Sequence, residues 1–236
     1  MIVKKQYKIA EIIKDTPSVF LFKFKADDST KLGYEPGMFA MIFHKDPDGS
    51  EVGRAFSFAS RPEDDTLEFA ISMIHGKFTH YLDTARIGDA YYMTGPYGQF
   101  KMDAAPNDKT LYLAGGTGLA PFLSMFRHLS NKKIHQDIIL IYSVKHPQDI
   151  ILKNELEGYK SSLGLNTTIT VTREENAEGW AGEKGHIDAA MIGRHVNDIK
   201  DRTCYICGPL AFVKAVKAAL IELGVDERKI KADVWG

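Results

Sequence analysis

The chain has 236 residues, 44% hydrophobic and 26% charged, with a formal net charge of −1. That length suits two ordinary domains or one large one, and the apolar content is enough to build real cores. Both signs of charge are interspersed, which excludes a nucleic-acid stripe and a polybasic anchor, and no run is apolar enough for membrane insertion.

From the start, Met1-Ile2-Val3-Lys4-Lys5 sets charges where a secretory signal needs an apolar core, so the expected location is cytoplasmic. The segments Tyr7–Ile13, Val19–Phe24 and Phe39–Phe43 are rich in β-branched and aromatic residues, and Leu67–Met73 alternates with period two. Turn chemistry separates them at Asp15-Thr16-Pro17, Glu35-Pro36-Gly37, Asp46-Pro47-Asp48-Gly49 and Arg61-Pro62-Glu63-Asp64-Asp65. Short strands at this spacing predict a closed or nearly closed antiparallel barrel, interrupted by one helical segment over Phe78–Ala85.

Inside that region, alternation puts Arg54, Phe56 and Phe58 on one strand face and Ala55, Ser57 and Ala59 on the other. An arginine among such neighbours either snorkels to water at a sheet edge or meets a phosphate with its forked donors.

Past Gly95-Pro96-Tyr97-Gly98 the texture changes. Ala104–Asp108 reads as a linker, which divides the chain into domains 1–104 and 105–236. Strands at Thr110–Ala114, Ile138–Ser143, Thr168–Thr172 and Thr203–Cys207 alternate with helices at Leu119–Leu129, Leu152–Leu163 and Pro209–Leu223. This is the pattern of a parallel sheet covered by helices. The turn Gly115-Gly116-Thr117-Gly118 joins the first strand to its helix, with Pro121 in the first helical turn. Such a turn offers free N–H groups and a positive dipole to a pyrophosphate, or serves as a ligand-free connection. It has neither the Rossmann spacing nor the P-loop lysine. Cys204 and Cys207, the two cysteines, lie on a predicted strand where residues three apart face oppositely, so the spacing argues against a shared metal.

Read together, these segments resemble the ferredoxin–NADP reductase superfamily. Arg54-Ala55-Phe56-Ser57-Phe58-Ala59-Ser60 is similar to its flavin strand, and Gly76-Lys77-Phe78-Thr79-His80-Tyr81-Leu82 to its second flavin segment. Gly88-Asp89 and Gly95-Pro96-Tyr97-Gly98 resemble the end of its flavin domain. Leu113–Pro121 resembles its nicotinamide-nucleotide turn, and Cys207-Gly208-Pro209 its C-G-P turn.

The resemblance implies a β + α/β chain: an antiparallel Greek-key β-barrel FAD domain followed by a Rossmann-like parallel-sheet NAD(P) domain. FAD, or FMN in some relatives, would take hydride from NADPH or NADH. Arg54 would pair with the flavin phosphate, Phe56 would stack on the isoalloxazine, and Ser57 would sit beside the reactive nitrogen. Gly76, Lys77, Phe78 and Thr79 would line the pyrophosphate, with Ala55 and Ile71 in the same flavin set. Gly116, Thr117, Gly118, Pro121, Gly208 and Pro209 would hold the nicotinamide nucleotide, with Cys207 near its reacting carbon.

Thr172-Arg173-Glu174 resembles the segment whose arginine meets a 2′-phosphate, and Lys184 would assist it, which leans towards NADPH. Asp233 would supply a carboxylate, and Trp235 would cover the flavin or cap a domain edge. Ser57, Cys207, Asp233 and Trp235 form the implied catalytic set.

The implied partner is ferredoxin, flavodoxin or an oxygenase component, met by a monomer or weak dimer. The cysteine inventory supplies no fused ferredoxin cluster. The rivals are a free-flavin or ferric reductase, suggested by Glu178-Gly179-Trp180, and a non-catalytic nucleotide sensor or electron-relay subunit.

Overall fold

The computed structural model describes residues 4–28, 30–46, 48–74, 76–102, 105–173 and 179–235. The chain divides into two compact units: Met1–Met102 with Ala120–His128, and Asp103–Leu119 with Leu129–Gly236.

In the first unit the strands are β1 (Lys5–Lys14), β2 (Val19–Ala26), β3 (Phe39–Lys45), β4 (Glu51–Ser57), β5 (Leu67–Ser72) and β6 (Ala90–Tyr97). They pair antiparallel in the order β4-β3-β6-β1-β2-β5. Alternation drives one face inward, where Phe22, Phe24, Phe69 and Tyr91 fill the core together with Phe58. The sheet's two edges meet where the Ala59 N–H donates to the Glu68 carbonyl at 2.8 Å. Helix α1 (Lys77–Asp83) buries Phe78 and Leu82 against this core.

The second unit carries β7 (Lys109–Gly115), β8 (Asp137–Val144), β9 (Asn166–Val171), β10 (Glu183–Lys184), β11 (Thr203–Pro209) and β12 (Ile230–Trp235). All pairings are parallel, in the order β10-β9-β8-β7-β11-β12. β7 and β8 are buried almost end to end, as a sheet covered on both faces requires. The helices are α2 (Ala120–Lys132), α3 (Lys153–Leu163), α4 (Ala189–His195) and α5 (Leu210–Glu222). The first part of α2, Ala120–His128, belongs to the first unit.

Four of these elements escape the sequence reading, the two-residue β10 among them. β6 is hidden behind the glycines and proline of its far end. α4 is short and is marked by its N-cap, where Asp188 accepts from the Met191 N–H at 2.7 Å. β12 alternates Lys231 and Asp233 with Ala232 and Val234, so it lacks the apolar run of its neighbours. Among the described residues no helix is long and apolar enough to cross a membrane.

Candidate functional site

On the barrel, the backbone register decides which side chains are presented together. Arg54 lies opposite Ile42 and Phe56 opposite Ala40, so both share the face of fully buried core residues. Yet β4 is a sheet edge, and Arg54 emerges exposed with no hydrogen bond or ion pair among the described residues. Ser57, on the other face, is half-buried and its hydroxyl likewise has no protein partner among them. Phe56 is partly buried, its ring 5.6 Å from that of Phe78. Ala55 is exposed.

Ile71 is 1% exposed within the barrel core, so its side chain is committed to packing and only its backbone is left for a ligand. The Phe78 side chain is similarly buried.

The start of α1 is held from within. Thr79 Oγ1 donates to the Ile74 carbonyl at 2.6 Å and accepts from the Gly76 N–H at 2.9 Å. That hydroxyl is thus spent on the cap. The first-turn N–H groups of Lys77 and Phe78 have no helical acceptor, as at any helix start. Lys77 is exposed and unpaired among the described residues. Two unpaired cations, Arg54 and Lys77, with free backbone donors make a donor set that fits the pyrophosphate of FAD.

In the second unit the glycines of the turn do different work. Gly116 adopts φ +56 with open space around it, and Thr117 beside it is half-exposed. Gly118 is packed: a Cβ there would overlap the carbonyl of Cys207. Gly115 and Gly208 both lie under the Phe212 ring of α5, where a side chain at Gly115 would stand 3.0 Å from it. Pro121 is buried. So Gly116 and Thr117 are the open part of the turn, while Gly115, Gly118 and Gly208 let strand ends approach.

Cys207 is 0% exposed at the end of β11, in register with Asp233 on β12. Its thiol faces the Asp233 carboxylate at a sulfur–oxygen distance of 4.0 Å. Burial, helped by the Asp233 charge, pushes the thiol well above its ordinary range, and burial raises the Asp233 carboxyl as well. Each group therefore holds a proton more readily than its exposed counterpart does. Cys204 faces the opposite way, into the core under α4 and α5, and burial pushes it up to about 12. Trp235 registers beside Pro209 and is 39% exposed.

Three cations stand at the carboxyl ends of β8, β9 and β10. The Arg173 N–H donates to the Lys145 carbonyl at 3.0 Å, and Lys184 lies in register with Val171. Lys145, Arg173 and Lys184 are all exposed and carry no ion pair among the described residues. The sequence reading passed over Lys145; a cation just past a buried strand was its only signal. Glu174, Glu178 and Gly236 lie outside the described residues. Trp180 donates to the Glu183 carbonyl at 2.9 Å, so its indole is engaged beside β10.

Comparison with known proteins follows the same division. An oxidoreductase FAD-binding domain matches residues 6–102, and an oxidoreductase NAD-binding domain matches residues 112–218. The glycine betaine monooxygenase reductase subunit of Chromohalobacter salexigens is 31% identical over 97% of this chain. The 2-halobenzoate 1,2-dioxygenase electron transfer component of Burkholderia cepacia is 30% identical over 90%. The chain spans 63% and 62% of the lengths of these relatives. In fold it is similar to a ferredoxin NADP+ reductase from Neisseria gonorrhoeae, solved with bound FAD and NADP. The TM-score is 0.84 at 22% identity, covering 98% of each chain.

Proposed function

The chain belongs to the ferredoxin–NADP reductase-like family, and from that premise we propose that it is the FAD-dependent NAD(P)H reductase of an electron-transfer system. When bound, FAD would supply the redox chemistry, hydride uptake from the nicotinamide and onward passage of electrons. The observation that carries the reading is the donor set on the barrel: Arg54, Lys77 and the first-turn amides of α1, unpaired among the described residues and suited to one diphosphate.

Arg54 neutralises phosphate charge, and Ser57 offers a hydroxyl to a ring heteroatom. Phe56 offers its half-buried ring, which packs against Phe78 and the core, to the isoalloxazine. Gly116 and Thr117 receive the nicotinamide nucleotide. Cys207 is uncharged and buried, so it shapes a surface instead of attacking anything; hydride transfer needs position, not a nucleophile. Asp233 holds a proton on its carboxyl more readily than an exposed aspartate does. Trp235 offers an aromatic face at the end of β12.

The electron acceptor in this reading is an oxygenase component or a ferredoxin-type carrier, because relatives that match nearly the whole chain bear the names of oxygenase reductase and electron-transfer components. We place the domain boundary at residues 104 and 105, between the two matched segments. Two free thiols suit a reducing compartment, and we place the protein in the cytoplasm.

The test is spectroscopic. Protein loaded with FAD is mixed anaerobically with NADPH or NADH, and loss of flavin absorbance is expected with at least one of them. An unbleached flavin with both would end the reductase reading. Arg54→Ala is expected to weaken FAD about tenfold or more, as loss of a charge-assisted phosphate contact does.

A further inference from the structure

Strand β10 is two residues long and lies at a sheet edge, so it pairs on one side only, Glu183 with Thr170 and Lys184 with Val171. Glycines flank it, Gly182 before and Gly185 after, the latter with φ +90. So short a strand between two glycines has little backbone restraint of its own. Yet it carries Lys184, and Arg173 stands two residues beyond the Val171 with which Lys184 is paired.

Side chains supply the missing restraint. Glu183 Oε1 lies 2.7 Å from His195 Nε2, and Glu183 Oε2 accepts from Arg194 Nη2 at 2.8 Å. Both donors stand in the last turn of α4, whose Met191 and Ile192 are buried in the core. Hydrogen bonds from His195 and then Arg194 hold the Glu183 carboxyl below its ordinary range. Trp180 Nε1 donates to the Glu183 carbonyl at 2.9 Å, and its ring covers Gly182, where a Cβ would overlap it. Thr170 Oγ1 donates to the Gly185 carbonyl at 2.7 Å. The strand is thus tied at both ends and through one carboxylate. Neighbouring strand residues point to opposite faces, so a Glu183 turned towards α4 sends Lys184 the other way.

We propose that Glu183, gripped by His195 and Arg194, is a positioning residue that fixes Lys184 to receive the 2′-phosphate of NADPH. The inference rests on the reading in which Lys184 assists Arg173 at that phosphate. A lysine gives up rotamer freedom when it meets a phosphate, and a strand fixed beforehand removes the backbone share of that ordering. The expected sign is opposite to that of plain electrostatics. A carboxylate near a bound phosphate repels it, so deleting a bystander Glu183 would tighten binding, whereas deleting a clamp loosens it.

The test is calorimetric titration of the holoprotein with adenosine 2′,5′-bisphosphate and with adenosine 5′-monophosphate, which differ only in the 2′-phosphate. Wild-type protein is expected to bind the bisphosphate at least about fivefold more tightly. Glu183→Ala is expected to weaken the bisphosphate by about three- to fivefold and to leave the monophosphate within about twofold. His195→Ala, which loosens the grip from the α4 side, is expected to reproduce part of that loss. Exposed ion pairs contribute little to global stability, so both variants are expected to fold. Lys184→Ala should match the Glu183→Ala loss, and adding Glu183→Ala to it should change nothing further, because the two act as one unit. In steady-state assays the loss should appear in the KM for NADPH and not in the KM for NADH. Unchanged or tighter bisphosphate binding in Glu183→Ala would overturn the proposal, as would equal losses for the two nucleotides or additive losses in the double variant. Wild-type protein that does not prefer the bisphosphate would instead bring down the NADPH reading on which the proposal stands.

Discussion

Gly116 and Gly118 sit two positions apart in one turn, yet replacing them has different physical consequences. At Gly116 the backbone is left-handed, φ +56, but nothing crowds the position. Alanine there costs about 1 kcal/mol of backbone strain and leaves the fold intact. At Gly118 the obstacle is the backbone carbonyl of Cys207, which has no rotamer with which to yield. Gly118→Ala is expected to destabilise by roughly 3 kcal/mol or more, since the end of β11 must move. Chemical denaturation of both variants separates the cases, and similar midpoints would contradict the assignment. The Cys207 thiol is governed by a separate effect: burial raises it well above its ordinary range and keeps it protonated.

At the scale of elements, helix α2 is anchored by charge. Arg127 Nη1 donates to Glu68 Oε1 at 2.6 Å and to the Ala59 carbonyl at 2.9 Å. Ser124 donates to the Ser60 carbonyl at 2.5 Å, and the Tyr34 hydroxyl meets that same carbonyl at 2.8 Å. These bonds tie the residues just after β4 to α2 and to β5. Glu68 is only 7% exposed at its side chain, and its other cation, Lys23, is 3.9 Å away. Arg127→Met removes the near partner of a buried carboxylate, which costs about 2–4 kcal/mol. The expected result is a lower thermal midpoint, largely recovered in Arg127→Met/Glu68→Leu, where neither charge is left alone. A double variant no better than the single one would show that the pair is not what anchors the helix.

This anchor also marks the limit of what the chain's order reveals. Strand and helix types were legible because the residues of β5 alternate in polarity, although nearly all of them are buried, and because β7 and β8 carry long apolar runs. Arg54 and Gly116 were legible as candidate ligand groups because arginine at a strand and glycine at a turn each carry local chemistry. The Arg127–Glu68 contact joins residues 59 apart, and the crowding at Gly118 comes from β11. Neither leaves a local pattern to read. The burial of Ile71 and the engagement of the Thr79 hydroxyl are likewise set by packing, which spacing alone does not determine.

Across the whole molecule, a net charge of −1 means that no general field draws a polyanion in. Attraction for a phosphorylated nucleotide must then come from local groups, and Lys145, Arg173 and Lys184 are the group of unpaired cations at the β8–β10 strand ends, among the described residues. Exposed charges act over about a Debye length, roughly 8–10 Å at physiological salt, so their effect must weaken as salt is added. A nucleotide with a 2′-phosphate brings an additional dianionic group to such a cluster, whereas NADH does not. The KM for NADPH should therefore rise more steeply with ionic strength than the KM for NADH. Replacing Arg173 and Lys184 together by alanine should raise the NADPH KM about tenfold, flatten its salt dependence and leave NADH nearly unchanged. Equal salt slopes for the two nucleotides in wild-type protein, or equal losses in the variant, would move the 2′-phosphate away from this cluster and remove the preference for NADPH.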